Sequence, residues 1–386
     1  MTRHYLDHAS TSPARPEVVD AMLPWLTGEH AADPGRVHTE GRMARLAVED
    51  AREQLAELLR VRPRQVVFTS GATEAINAAV WGAIHLGDDG DDGDRRRVVA
   101  PAVEHSAVLE ASDRYELVRA GVDHYAHVDP AELLAHVDGR TALVHVQWGN
   151  HEVGTLQPVH EVVAACRERG VLVHVDAAQA IGHAPDLDLA ALDADLVSVS
   201  GHKFGGPKGT GALVVRRGLR VPPMLVGGEQ ERARRGGMEN VPAIVGLGAA
   251  AKTLLATQAG EVAHQRALTN RVIEGASALD GVRAYGDTSS GGANRLPHIA
   301  CFGVDGVEAE AVLLALDQAG VAAHSGSACS SESLEPSPVL EAMGVDAERS
   351  LRVSVGWSST DADVDAFLGA LPRVVGALRA LGQSPQ

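Results

Sequence analysis

Lysine is almost missing from this chain. Three lysines stand among 386 residues, Lys203, Lys208 and Lys252, and every other basic side chain is arginine. Cysteine is as scarce: Cys166, Cys301 and Cys329 form no Cys-x-x-Cys pair. That speaks against a disulfide framework or zinc knuckle and suits a reducing, cytoplasmic setting. No uncharged apolar run approaches the roughly 18 residues of a membrane span. The start, MTRHYLDHASTSP, holds no apolar stretch of the kind a secretory signal needs. Positive charge is outnumbered, 34 Lys+Arg against 51 Asp+Glu, for a formal charge of -17. Non-specific nucleic-acid binding and docking on an anionic membrane are therefore not expected. The 18 histidines show neither His-Glu-x-x-His nor paired His/Cys spacing, so no metal site is expected.

What is present is the make-up of a globular protein, 45% hydrophobic and long enough for two domains. Short apolar runs at 66–69, 143–147, 171–176, 195–200 and 211–217 are expected to be buried strands. Helical patterns lie at 161–170 and 242–256. Such alternation predicts an α/β layered fold with a mostly parallel sheet. An acidic Gly/Asp run at 87–94 suits a solvated turn. Past residue 260 the pattern changes to a long amphipathic helix (264–279), a Gly/Ser-rich loop (286–293), and a C-terminal helix from about Asp361. A domain boundary is placed near 260.

Two of the three lysines fall in SVSGHKFGGPKGTG, residues 198–211. A cation needed only for charge is easily arginine; an amine needed for covalent chemistry is not, because a guanidinium stays protonated. Lys203 ends a strand beside Ser200 and His202, with Gly205, Gly206 and Gly209 allowing tight turns. Upstream, FTSGATEAINAAV (68–80) passes from a strand into a helix whose first amides and Thr73 hydroxyl can face an anion. The same letters also fit an ordinary helix cap. Asp176 closes the strand VLVHVD, where an isolated carboxylate needs a cationic partner. A protonated pyridine nitrogen would serve, as would a structural arginine. Together these are the parts of a lysine Schiff base to pyridoxal phosphate. His105 follows the strand VVAPA, where an imidazole can stack on a ring and move protons. Cys329, in the small and polar stretch HSGSACSSESLEPS, has the setting of an accessible thiol, unlike Cys166 and Cys301.

With these pieces in order, the chain resembles the NifS-type cysteine desulfurases, class-V enzymes of the fold-type I pyridoxal phosphate group. The likeness runs through YLDHAST, TSGATEAIN, EHSAVL, NHEVGTLQP, HVDAAQ, SGHKFGGPKG, GGEQER, GSACSS and LRVSVGW. The stretch SGSAC followed by SLEPS looks like the subgroup with an extended cysteine loop. The resemblance implies a large domain (15–260) with a mostly parallel seven-stranded sheet. It also implies a smaller α/β domain (1–14 and 261–386) and a homodimer. It implies that Lys203 holds the cofactor and moves the substrate Cα proton, that Asp176 pairs with the ring nitrogen, and that His105 stacks on the ring. Gln179 would bond the phenolic oxygen, and Ala72, Thr73, Ser200 and His202 the phosphate. Arg352 would clamp the carboxylate of L-cysteine. Cys329 would take the sulfur as a persulfide, release alanine, and pass the sulfur to an acceptor protein that the sequence does not name.

Three departures from the family pattern stand out. Asn-Asn-Glu is here Asn150-His151-Glu152, which puts an imidazole near the cofactor oxygen. The expected Thr of an Arg-Ser/Ala-Gly-Thr run, a phosphate ligand across the dimer, is Met238 after Arg235-Gly236-Gly237. The usual Gly-Asn-Pro-Ser-Ser-x-His is Ala32-Asp33-Pro34-Gly35-Arg36-Val37-His38. A C–S or selenocysteine lyase is the alternative within the superfamily, since it works without the thiol. An aminotransferase has no need of a cysteine in such a loop. A non-catalytic scaffold for sulfur-carrier assembly has no need of Lys203, Asp176 and Cys329 together.

Overall fold

The computed structural model describes residues 2–27, 30, 32–86, 95–184, 187–325 and 336–382. Cys329 and the acidic run at 87–94 lie outside these residues.

Twelve strands occur among the described residues. They are β1 (His4–Tyr5), β2 (Val66–Thr69), β3 (Arg97–Pro101), β4 (Glu116–Ala120), β5 (Thr141–Gln147), β6 (Leu172–Asp176), β7 (Leu196–Ser200), β8 (Gly211–Val215), β9 (Val282–Tyr285), β10 (Ile299–Val304), β11 (Val321–Ala322) and β12 (Ser350–Ser354). Seven of them form one sheet in the order β2-β8-β7-β6-β5-β3-β4. The pairs β3–β4, β3–β5, β5–β6 and β6–β7 are parallel, and β8 runs antiparallel to both its neighbours. Strands β5, β7 and β8 are buried at every position. A parallel sheet covered by helices on both faces requires this, and it explains why these strands are unbroken apolar runs rather than alternating ones.

Apolar side chains pack on both sides of this sheet. On one face, Ala75, Ile76, Ala79 and Val80 of the helix Ala72–Ile84 meet Leu143, Leu196 and Leu213. On the other, Val144, Val173, Val175 and Val197 join Val162 and Val163 of the helix Val159–Glu168 and Leu247 and Leu254 of the helix Val241–Ser277. A second sheet, antiparallel in the order β12-β10-β9, has its own core of Phe302, Leu351, Val353, Phe367 and Leu371. Leu6 belongs to that second core, and β1 pairs with β11.

The helices expected at 242–256 and 264–279 are one helix, Val241–Ser277, of 37 residues. By length and composition alone it could cross a membrane. Here its first half packs in the large core through Ile244, Leu247 and Leu254. Its second half packs in the smaller core through Leu268, Val272 and Ala276. Between them, Glu261 receives a two-pronged bond from buried Arg15, both arms at 2.7 Å. We propose on these two cores that residues 15–260 form one domain and 1–14 with 261–386 the other, with this helix as the shared spine.

The segment Glu231–Ala233 is unusual: three successive non-glycine residues have φ of 49°, 60° and 61°. Left-handed backbone at a non-glycine residue costs on the order of 1–3 kcal/mol each. Glu231 is buried, and its carboxylate takes both arms of Arg52 (2.7 and 2.6 Å) and the amide of Phe68 (2.9 Å). This three-point grip holds the turn against β2.

Candidate active site

Three parallel strands end together. Gln147 closes β5, Asp176 closes β6 and Ser200 closes β7, and their carboxyl ends open on a cavity of about 510 Å³. Open α/β sheets bind ligands at this end of the strands.

One wall is the start of the helix Ala72–Ile84. Its first backbone bond in the α pattern runs from Ala75 to Gly71 O, so the amides of Ala72 and Thr73 find no acceptor inside the helix. Gly71, at φ 156°, turns the chain into the helix, and a side chain placed there would meet nothing within 4 Å. The backbone is therefore bare towards the cavity. Ala72 and Thr73 line it, as do Ser200 and His202 from the end of β7. Burial, and then Lys203 and Lys208, push His202 down to about 4, so the ring is neutral near pH 7.

Lys203 ends the short 3-10 turn Gly201–Lys203 after β7. Gly205, at φ 89°, lets the chain double back, and a side chain there would strike Arg15 at 2.7 Å. The Lys203 amine lines the cavity and donates to the carbonyls of Ala9 (2.6 Å) and Ser10 (3.0 Å). The N-terminal turn thus holds the amine in place.

Asp176 is buried, and its Oδ1 accepts from Ser198 Oγ at 2.6 Å and from the Ala178 amide at 3.0 Å. Strand register makes the first bond: Asp176 and Ser198 are paired residues of β6 and β7. Gln179 donates to Ala9 O at 2.8 Å and accepts from His298 Nε2 at 3.1 Å. Its second amide hydrogen remains for a group in the cavity.

His105 caps the helix Ser106–Ser112, with Nδ1 accepting from the Ala107 amide at 3.0 Å. Its neutral ring therefore carries the proton on Nε2. Burial, reinforced by His151, lowers its pKa to about 4. The two rings meet edge to face, centroids 5.0 Å apart, and both line the cavity.

Arg352 sits in the middle of β12, behind two residues that line the cavity. It donates to Ser10 Oγ (2.7 Å), Asp7 Oδ1 (3.0 Å) and His151 O (3.0 Å), while its Nε has no partner. Asp7 therefore already occupies one arm that the sequence reserved for a substrate carboxylate. The structure brings Ala72, Thr73, His105, His151, Asp176, Gln179, Ser200, His202 and Lys203 to one cavity, with Arg352 one bond away. Where the Cys329 sulfur stands relative to them is outside the described residues. Met238, standing for the expected threonine, is on the surface at 67% exposure, and its neighbour Arg235 bonds Glu74 of the helix that frames the site.

Sequence reasoning missed several contributors. Ser198 carried a signal, being a hydroxyl inside an otherwise apolar buried strand. The carbonyls of Ala9 and Ser10 carried none, because backbone oxygens leave no mark on side-chain identity. Among the described residues no group of three or more His, Cys, Asp or Glu is placed to hold a metal ion.

The profile of the Aminotransferase class-V family matches residues 4–367. The chain belongs to the class-V aminotransferase family. The cysteine desulfurase of Trichormus azollae is 40% identical over 386 residues, 98% of this chain and 94% of its own. Cysteine desulfurase IscS of Methanosarcina thermophila is 39% identical, over 97% of this chain and 92% of its own. A solved structure titled NIFS-LIKE PROTEIN superposes with a TM-score of 0.89 at 31% identity, covering 98% of this chain and all (100%) of its own. The apo cysteine desulfurase of Thermococcus onnurineus NA1 gives 0.85 at 25% identity, over 97% and 95%. Class-V aminotransferases are pyridoxal phosphate-dependent.

Proposed function

We propose that this chain is a pyridoxal phosphate-dependent cysteine desulfurase, taking L-cysteine to L-alanine and its sulfur to Cys329 as a persulfide. The observation that carries this reading is the meeting, in one cavity, of the Lys203 amine, the Asp176 carboxylate and the bare helix start at Ala72 and Thr73. The donor set fits the cofactor: an amine for its aldehyde, a buried acid for its pyridine nitrogen, and amides and hydroxyls for its phosphate. Full-length likeness to proteins named cysteine desulfurase supports the same reading.

When bound, the cofactor supplies an electron sink that weakens the bonds at the substrate Cα. The rest belongs to the chain. Lys203 anchors the aldehyde carbon and afterwards moves a proton between substrate carbons. Asp176, fixed by Ser198 and the Ala178 amide, keeps a proton on the ring nitrogen. His105 offers Nε2–H from one side, a direction set by its cap bond. Arg352 holds the carboxylate of L-cysteine through donors that Asp7 and Ser10 do not use. The Cys329 thiolate attacks the substrate sulfur; the C–S bond breaks, an S–S bond forms, and the carbon fragment gains a proton to become alanine. A thiol of an acceptor protein then takes the outer sulfur. The exposed Val37 (83%), Val226 (79%) and Met238 suit a face covered by a second copy, and a homodimer is part of this reading.

The test is product analysis on the full chain loaded with pyridoxal phosphate. Alanine, matched by a reducible gain of one sulfur atom on the chain that Cys329→Ser abolishes, is the expected result. Pyruvate and ammonia without that gain would make it a C–S lyase instead.

A further inference from the structure

Gln179 lines the cavity from the turn after β6, and its amide is held by two groups 170 and 119 positions away. The carbonyl of Ala9 can only accept, so the amide nitrogen stands against it, at 2.8 Å. The amide oxygen then stands against His298 Nε2, at 3.1 Å, and it too can only accept. His298 therefore carries its proton on Nε2. A neutral imidazole keeps a lone pair on the other nitrogen, and His298 Nδ1 is the one that is buried without a partner. Ala9 O is not reserved for Gln179, since it also accepts from the Lys203 amine at 2.6 Å.

The His298 ring has little freedom. It is fully buried (0% exposed) and stacks on His183, with centroids 3.6 Å apart and planes at 19°. His183 Nδ1 in turn meets the side chain of Gln265, on the helix Val241–Ser277, at 2.9 Å. The backbone here is pinned as well: His298 O accepts the Val355 amide at 3.0 Å, and Pro297 O accepts Thr269 Oγ1 at 2.7 Å. Burial, then His183, His8, Lys203 and Arg352, keep the ring from taking a second proton.

We propose that His298 is a positioning residue of the cavity: by holding Gln179 Oε1 it turns the amide nitrogen, with its second hydrogen, towards the bound ligand. With the amide reversed, Oε1 would face the Ala9 carbonyl and the nitrogen would face the His298 N–H, and neither meeting makes a bond. Without His298, the amide is left to the Ala9 carbonyl, which it shares with Lys203. Only for the group that the second hydrogen meets, the phenolic oxygen of pyridoxal phosphate, does this rest on the desulfurase reading. A donor on that oxygen weakens its hold on a proton, so losing the donor raises the pH at which the visible band of the cofactor changes.

The test has two arms, both on the full chain. The first is long-range nitrogen–proton NMR with ¹⁵N-labelled histidine and no cofactor, His298 being assigned by its loss in His298→Gln. The proton should sit on Nε2, and Gln179→Leu should shift that N–H resonance. A proton on Nδ1, or a resonance that Gln179→Leu leaves in place, overturns the inference. The second arm reads the pH midpoint of the visible band with pyridoxal phosphate bound. His298→Phe keeps a ring but no N–H, and should raise the midpoint by up to about one pH unit, the scale of one neutral hydrogen bond. His298→Leu should raise it as well, so the outcome does not hang on how a phenyl ring packs. His298→Gln, whose amide nitrogen reaches the place of Nε2, should return it. A midpoint unmoved in both His298→Phe and His298→Leu, in a chain that desulfurates L-cysteine, sinks this inference alone. A proton on Nε2 that responds to Gln179→Leu supports it even where added pyridoxal phosphate gives no visible band, a result that would fault the cofactor reading instead.

Discussion

Ser198 donates to Asp176 across the β6–β7 pair at 2.6 Å, so the acid expected at the cofactor ring is aimed by a neighbouring strand. A hydrogen bond to a charged group is worth about 1.5–3 kcal/mol, so Ser198→Ala should lower kcat roughly ten- to a hundredfold. Cofactor should still bind. Asp176→Asn should cost on the order of 10²–10³ in kcat, the scale of a lost electrostatic contact. Steady-state kinetics with the absorption spectrum of the bound cofactor check both; an unchanged kcat in Ser198→Ala would show that the Ala178 amide suffices.

The carbonyls of Ala9 and Ser10 hold the Lys203 amine at the cavity. Lys203→Ala should lose covalent attachment of pyridoxal phosphate after borohydride reduction, read by intact mass. Turnover should fall on the order of 10³-fold or more. Lys203→Arg should fail equally, because a guanidinium keeps its proton. Covalent cofactor in either variant would move the anchor elsewhere.

The Arg52–Glu231 pair locks three left-handed residues beside the site. Removing one partner of a buried pair costs about 3–5 kcal/mol. Arg52→Ala should show that loss in denaturant unfolding. Glu231→Ala should cost about as much, and the double variant should cost less than their sum, since each single change already breaks the same contact. Additive losses would mean the turn is held by other contacts.

Much of this site was legible as linear motifs because the ends of adjacent parallel strands, each a short segment, deliver its groups. Lys203, Asp176 and Thr73 each sit at a strand–helix or strand–turn junction, and such junctions are marked by small and polar letters. What was not legible joins distant segments. Glu152 meets Ser337 across 185 positions, and Arg52 meets Glu231 across 179. No local pattern encodes either meeting. The long helix was divided for a related reason. Around Gly260 it crosses from one core to the other with Leu255, Ala256 and Thr257 exposed, so its apolar periodicity lapses while its backbone continues. The Arg15–Glu261 bond that supports this stretch spans 246 positions.

Glu152 also makes a prediction about stability. Its carboxyl is raised from 4.5 to about 7 by burial, so between those values the folded chain keeps a proton that the unfolded chain has lost. Stability therefore falls as pH rises across that window and is level above it. At 1.36 kcal/mol per unit the whole effect is about 3 kcal/mol. Buried histidines such as His174, lowered to about 4, act in the opposite sense, and Glu104, raised by burial, acts in the same one. A comparison with Glu152→Gln removes those shared contributions. The variant should gain about 3 kcal/mol on the unmodified chain between pH below 4.5 and pH above 7, measured by denaturant unfolding at each pH. A difference that does not change with pH would mean that Glu152 titrates alike in the folded and unfolded chain, so that burial does not raise it.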